Sequence, residues 1–371
     1  MKLDQQLTIG LALSGGGFRA ALFGLGSLWR LNDAGLLRRL TRISSVSGGS
    51  ILAGIVAHRW RQLSFVDDHA DNFDAVVAQP VRTFCSQTVD LGSALLGHLT
   101  PFVTSAEFLA RRYARDLFGD TRLRQIATPA NDRAPRFTLH ATNMQTGRNF
   151  RFCQNYIADY LLGVSHTSEV LLADAVAASS AFPPIFSPLL LKTKAGSWAD
   201  ARRDLPNLDS LRRRIVLADG SIHDNMGVEA LLDTVDIVLV SDGGAPFEID
   251  ESPFEDDLLQ LVRVRDILID QARALRKRSL LDDFADGRRR GAYWGIGTTI
   301  GDYDDYHALA NDSAATACLQ HLPTRLRELT AKEQGQLINW GYALADSALR
   351  ERAQLPIDAP RGWPVGAWPL A

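Results

Sequence analysis

Short continuous apolar runs alternate with amphipathic stretches along this chain, and turns rich in glycine and serine separate them. LTIGLAL at residues 7–13 is apolar throughout and of strand length, the pattern of a strand buried on both faces. Within residues 18–34, Leu22, Leu25, Leu28 and Leu31 recur at helical spacing, and Gly35 suits the end of that helix. TRISSV at 41–46 predicts a second strand, which leads into SGGS and an apolar helix, ILAGIVAHRW. Strand, helix and strand in that order form a βαβ unit, with a right-handed crossover and parallel strands. Both post-strand loops then lie on one edge of the sheet.

Further along, residues 65–130 read as mainly helical around an apolar centre broken by Pro and Gly, LGSALLGHLTPFV, and form a candidate cap. RFTLHATN (136–143) and RNFRF (148–152) predict a hairpin around MQTG, and LADAVAASSAFPPIF a helix stopped by its two prolines. RRIVLAD (213–219) and DIVLVSDGG (236–244) predict buried strands separated by a helix-like GVEALLDTV. From about residue 255 a long amphipathic helix precedes RRRGAYWGIGTTI and a helical C-terminal region. With neither repeat nor low-complexity linker, one α/β domain with helical additions over residues 1–371 is the economical reading.

Composition narrows the class. A 371-residue chain that is 46% hydrophobic can bury a large core, and a formal net charge of −3 gives no general attraction to nucleic acid. Cys85, Cys153 and Cys318 are widely spaced and form no metal-binding pattern, which fits a reduced cytosolic compartment. The N-terminus lacks the pattern of a secretory signal. No apolar run reaches the roughly 18–20 residues of a membrane span. A cytoplasmic protein able to touch a membrane peripherally is expected.

The candidate chemistry lies in the turns. Gly15, Gly16 and Gly17 follow the first strand, so their N–H groups could cradle a phosphate, a dinucleotide or a developing oxyanion. The loop lacks the GK[ST] of a phosphate loop. GGGFRA fits a dinucleotide loop, but the second strand ends in Ser44, Ser45 and Val46 rather than in the acidic residue that a ribose requires. The oxyanion reading is left, with Arg19 adding charge or holding the loop. Ser47 sits between a strand and a helix, as a nucleophile at a tight turn must, with Gly49 two residues beyond and small Ser45 two before. Its base could be a carboxylate at a strand end, Asp219 or Asp242, and spacing alone does not separate them; His223 is the histidine nearest a promising site.

SGGGFRA, SVSGGS and DGSIHDNMG, in that order, together with ATNMQTG and ASSAFPPIF, resemble the patatin-like phospholipases over about residues 7–245. The resemblance implies a three-layer α/β/α fold with a mainly parallel central sheet, carrying a C-terminal helical extension over about 250–371. It implies acyl hydrolysis of a phospholipid or other lipid ester by a Ser–Asp dyad, with no metal or organic cofactor. By position, Ser47 is its nucleophile, Asp219 its base, and Gly15, Gly16, Gly17 and Arg19 its oxyanion and substrate-binding loop. Asn225 matches a position that supports the aspartate loop. The alternative is a lipid-binding regulatory module, non-catalytic or conditionally activated, on the same fold. Outside these motifs, Asn143 serves the hairpin turn and Asp242 a strand-end turn. The basic run from Arg273 to Arg290 could meet anionic headgroups, although solvated helix ends are the commoner use of such residues. Trp363 and Trp368 are expected to pack within the chain rather than to anchor it at an interface.

Overall fold

The computed structural model describes residues 6–89, 104–166, 169–201, 205–253 and 256–370. Strand β1 (Ile9–Leu13) leads through the glycine loop to helix α1 (Gly17–Asp33), and strand β2 (Leu40–Val46) leads to α2 (Gly48–Arg59). Helix α1 stops at Gly35, whose φ is 65°. There Leu36 N–H donates to Leu31 O at 2.8 Å and Gly35 N–H to Asn32 O at 2.9 Å, closing the last carbonyls.

Next come α3 (Gln79–Cys85) and α4 (Ser105–Tyr113), then β3 (Arg136–Asn143), β4 (Arg148–Cys153), β5 (Ile157–Asp159) and β6 (Gly163–Ser165). Helix α5 (Leu172–Ser180) is followed by β7 (Leu189–Lys192), β8 (Trp198–Ala199), β9 (Arg214–Asp219) and β10 (Ile237–Asp242). The long α6 (Asp257–Ala285), β11 (Arg290–Gly295) and α7 (Ala331–Ser347) complete the larger elements. The sheet runs β8-β6-β5-β4-β3-β2-β1-β10-β11, with β9 paired to both β3 and β7. Its five strands from β3 to β11 are parallel; β4, β5, β6 and β8 extend it antiparallel.

The two faces of the sheet bury separate sets of side chains. Ile9, Leu11, Leu13, Ile237 and Leu239 join the large cluster that includes α1, α2, α5 and α7. Ala12, Val238 and Val240 face the other way, onto Met226, Val228, Leu231 and Leu280 of α6. Strands covered on both faces read as continuous apolar runs, and this makes three layers. The C-terminal region shares the main cluster. Helix α7 crosses α1 so closely that a Cβ on Gly26 would run into Ile338 O and one on Gly341 into Phe23 O. A buried Arg30–Asp346 ion pair, 2.6 Å long, ties the same two helices.

Two expectations change. Residues 227–235 form turns rather than a helix: Gly227 takes a φ of 68°, and the Asp224 carboxylate accepts from Met226 N–H at 3.1 Å and Glu229 N–H at 3.0 Å. Those local hydrogen bonds compete with a helical ladder. Of the stretch read as a cap, LGSALLGHLTPFV lies outside the described residues. Its described flanks turn inward, with Val81, Phe84, Leu109 and Tyr113 buried in the main cluster. Among the described residues no helix is long and apolar enough to cross a membrane.

Candidate active site

Ser47 lies between β2 and α2 with φ 50° and ψ −118°, outside the regions a side-chain-bearing residue adopts readily. The glycine behind it is forced by a close approach, because a Cβ on Gly48 would run into Gly17 O of the neighbouring loop. The two post-strand loops therefore touch, as parallel β1 and β2 require.

Asp219 arrives from the opposite direction. Its strand is not part of the parallel set, because β9 runs antiparallel to β3. Val46, the last residue of β2, pairs with His140 on β3, and Asp219, the last of β9, pairs with the adjacent Ala141. Two strands thus end head to head along one neighbour, which brings Ser47 Oγ to donate to Asp219 Oδ2 at 2.7 Å. The other carboxylate oxygen accepts from Ser221 N–H at 2.8 Å. Asp219 is wholly buried; burial pushes its pKa up to about 6, against the hydrogen bonds from Ser221 and Ser47.

The C-terminal end of α5 holds both halves of this pair, which sequence reasoning missed. Ser179 Oγ accepts from Ser47 N–H at 3.0 Å and donates to Ser50 Oγ at 2.8 Å. Ser179 O accepts from Gly220 N–H at 3.3 Å, and Ala181 O from Asp219 N–H at 3.0 Å. The signal was a pair of serines at the end of a helix that is apolar apart from Asp174.

Within the glycine loop the structure divides the expected roles. Gly15 N–H is engaged by Asn225 O at 2.9 Å, so the expected donor set loses it. Phe18 N–H donates to Arg325 O at 3.1 Å, which leaves Gly16 and Gly17 as the candidate donors to a ligand. Arg19 also lines the space in front of Ser47, and its guanidinium donors go to protein oxygens. It is buried and donates from Nε to Gly243 O at 3.0 Å, from Nη1 to Leu322 O, and from Nη2 to Thr324 Oγ1 at 2.8 Å. Holding the loop is its structural role, and a segment of the C-terminal extension supplies two of the three acceptors.

The remaining candidates lie elsewhere. Asp242 is buried in an ion pair with Arg273 at 2.8 Å and accepts from Tyr293 Oη at 2.9 Å. His223 faces the Glu229 carboxylate 3.5 Å away. Asn143 accepts from Gln145 N–H at 2.9 Å in the hairpin turn. Of the basic run, Arg273 pairs with Asp242, Arg276 approaches Glu229 and Arg288 pairs with Asp283. Trp363 and Trp368 pack against the main cluster.

In front of Ser47 lies a cavity of about 750 Å³, within the usual range for small-molecule sites. Gly15–Gly17, Ser47 and Ser180 line it, together with apolar Phe182, Ile185, Phe186 and Phe247. Val262 and Ile269 of α6 and the segment 321–326 complete its wall, whereas the described residues of the expected cap do not reach it. Among the described residues no three His, Cys, Asp or Glu side chains converge as metal ligands.

The patatin-like phospholipase family pattern matches residues 11–232, more than half of the chain. Among solved structures, human GIVD cytosolic phospholipase A2 aligns with 95% of this chain and 61% of its own, at 15% identity and a TM-score of 0.52. The same human enzyme in complex with methyl gamma-linolenyl fluorophosphonate gives 95% and 59%, 16% identity and a TM-score of 0.53. The chain therefore spans about three-fifths of the human enzyme's length, and at these identities the likeness is one of fold. No curated protein sequence matches it.

Proposed function

We infer that this chain, which belongs to the patatin-like phospholipase family, hydrolyses phospholipid-type carboxylic esters through an acyl-enzyme on Ser47. Ser47 Oγ attacks the ester carbonyl carbon while its proton passes to Asp219 Oδ2, 2.7 Å away. Negative charge gathers on the carbonyl oxygen, where Gly16 and Gly17 N–H at the start of α1 donate, aided by the positive end of that helix. The carbon–oxygen bond to the leaving alcohol breaks, and Asp219 returns the proton to that oxygen. Water then attacks the acyl carbon as Asp219 takes its proton, and the fatty acid leaves as Ser47 Oγ recovers a hydrogen.

The observation that carries this reading is the pairing of a strained serine with a buried carboxylate that accepts from a hydroxyl and a backbone N–H, with the serine lining a cavity. A carboxylate in such surroundings keeps its proton affinity and can act as a base near neutral pH. The human neighbour was solved with a fluorophosphonate, and a probe of that class tests the assignment here. Mass spectrometry should find one adduct on Ser47, absent from Ser47→Ala. Hydrolysis of p-nitrophenyl esters and of mixed phospholipids should be lost in Ser47→Ala and Asp219→Asn. Full turnover by Asp219→Asn would refute the dyad.

A further inference from the structure

Most polar side chains that line the catalytic cavity are committed within the chain. Ser180 Oγ donates to Val176 O at 2.7 Å and meets Tyr113 Oη at 3.1 Å. The Ser221 hydroxyl is hydrogen-bonded to Asp219, and the guanidinium groups of Arg19, Arg263, Arg265 and Arg273 reach protein oxygens. Asn225 is different. It is half-buried and lines the cavity, and its backbone O accepts from Gly15 N–H at 2.9 Å. Among the described residues, however, its carboxamide has no hydrogen-bond partner. A polar side chain left unpaired inside a site calls for a ligand. Its orientation says which kind. A Cβ built on Gly15 would lie 2.5 Å from Asn225 Oδ1 and 3.2 Å from Ser47 Cβ, whereas one built on Gly244 would lie 2.8 Å from Asn225 Nδ2. The carbonyl end of the amide therefore stands on the Ser47 side and the amino end on the Gly244 side. An acceptor in that place does not support a developing oxyanion, which needs donors. It suits a group that brings a proton.

We propose that Asn225 Oδ1 holds the water that hydrolyses the acyl-enzyme. The proposal rests on the acyl-enzyme reading above. Once the alcohol has left, a water must stand over the acyl carbon with one O–H toward Asp219 Oδ2. Its second O–H finds no acceptor in the dyad, and Asn225 Oδ1 supplies one. Held by two acceptors, the water presents a lone pair to the carbon in one orientation, which is the advantage of a positioned reactant. The water oxygen then bonds to the acyl carbon while Asp219 takes the first proton. The second proton stays on the new carboxylic acid. The bond from carbon to Ser47 Oγ breaks, and Asp219 returns its proton to that oxygen. Acylation uses no water, so Asn225 serves the second half of the cycle alone.

The test separates the two halves with a short p-nitrophenyl ester. Asn225→Ala and the milder Asn225→Ser both keep the backbone O that holds Gly15. Stopped-flow release of p-nitrophenol reports acylation, and intact-mass spectrometry follows the decay of the acyl group on Ser47. In Asn225→Ala the acylation rate, and the rate of labelling by a fluorophosphonate, should stay within about twofold of wild type. Decay of the acyl-enzyme should slow about tenfold or more, so that a burst of one equivalent precedes slow turnover. Asn225→Ser should lie between the two. Unchanged decay in both variants would overturn the role of Asn225. So would acylation and decay that fall together, because the residue would then shape the loop or the oxyanion site rather than hold the water. Wild-type protein that turns over ester with no acyl group ever found on Ser47, and Ser47→Ala that turns over equally well, would instead refute the acyl-enzyme reading and this role with it.

Discussion

Asp219 and Asp242 each close a buried strand, each precede a glycine, and each are wholly buried. Their partners differ in kind. Asp219 accepts from Ser47 Oγ and Ser221 N–H, and burial raises its pKa to about 6. Burial also acts to raise Asp242, but the Arg273 charge, with hydrogen bonds from Arg273, Gly244 and Tyr293, outweighs it and holds the group below the usual carboxylate range. A buried carboxylate with a full cationic partner is a structural anchor, since the partner stabilises the charge that a base must give up. One given neutral donors keeps a usable proton affinity. Strand position is the same in both cases; the partner decides the chemistry.

The largest effect should come from exchanging which of the two is lost. Asp219→Asn and Ser47→Ala are expected to lower kcat/KM for ester hydrolysis by about 10⁴-fold or more, measured on a short soluble ester, with the fold retained. Asp242→Asn should do the reverse. Turnover per folded molecule stays within a few-fold, while chemical denaturation shows a loss of about 3–5 kcal/mol because Arg273 is left buried without its partner. Equal losses of activity in both variants would remove the distinction.

The pH dependence sharpens it further, because the two shifts have opposite sign. The folded pKa of Asp219 is raised, so its contribution to stability is full below about pH 4 and is lost as pH rises through about 6. That rise corresponds to about 3 kcal/mol. Asp219→Asn should therefore be more stable than wild type at pH 8 by up to that amount, with the gap closing toward pH 4. Asp242 has a lowered folded pKa, so its stabilisation is present above the usual carboxylate range and is lost as pH falls through the lowered value. For catalysis the base must be ionised: kcat/KM should climb from pH 5 to 7 with a midpoint near 6, unmoved by Asp242→Asn. A midpoint near 4 would mean that Asp219 is not the base.

How much of this could be read from the letters follows from the range of the interactions. The contact of the two glycine-bearing loops was legible, since a parallel βαβ unit places both on one edge whatever the rest of the chain does. The position of Ser47 beside that contact was legible for the same reason. The antiparallel arrival of Asp219 was not, because it depends on β9 pairing with β3 across more than 70 residues of chain, and the residues of β9 carry no mark of strand direction. Nor was the use of Gly15 N–H by Asn225, which depends on where the 224–227 turn settles. The walls from α6 and 321–326 come from outside the motif region, and the acceptors of Arg19 at Leu322 and Thr324 lie about 300 residues away in sequence. Residues 227–235 carry apolar letters that suit a helix, and local Asp224 hydrogen bonds override them.

The smallest expected effects test whether each aspartate's supporting shell serves the same end as the aspartate itself. Ser179 touches neither the proton nor the carbonyl; it holds the Ser47 backbone from behind and is in turn fixed on Ser50. Ser179→Ala removes two neutral hydrogen bonds, those with Ser47 N–H and Ser50 Oγ, at about 1 kcal/mol each. If the bond to Ser47 positions the nucleophile, kcat should fall about fivefold to tenfold with KM unchanged, and Ser179→Thr should restore part of it. Tyr293→Phe is the matching change on the other side, since Tyr293 Oη donates to Asp242 Oδ2 at 2.9 Å. It should cost a similar amount of stability and leave kcat alone, because Arg273 still holds the Asp242 charge. A fall in kcat with Tyr293→Phe but not with Ser179→Ala would place the strain that matters at the Asp242 end of the sheet, and the division of labour between the two aspartates would have to be redrawn.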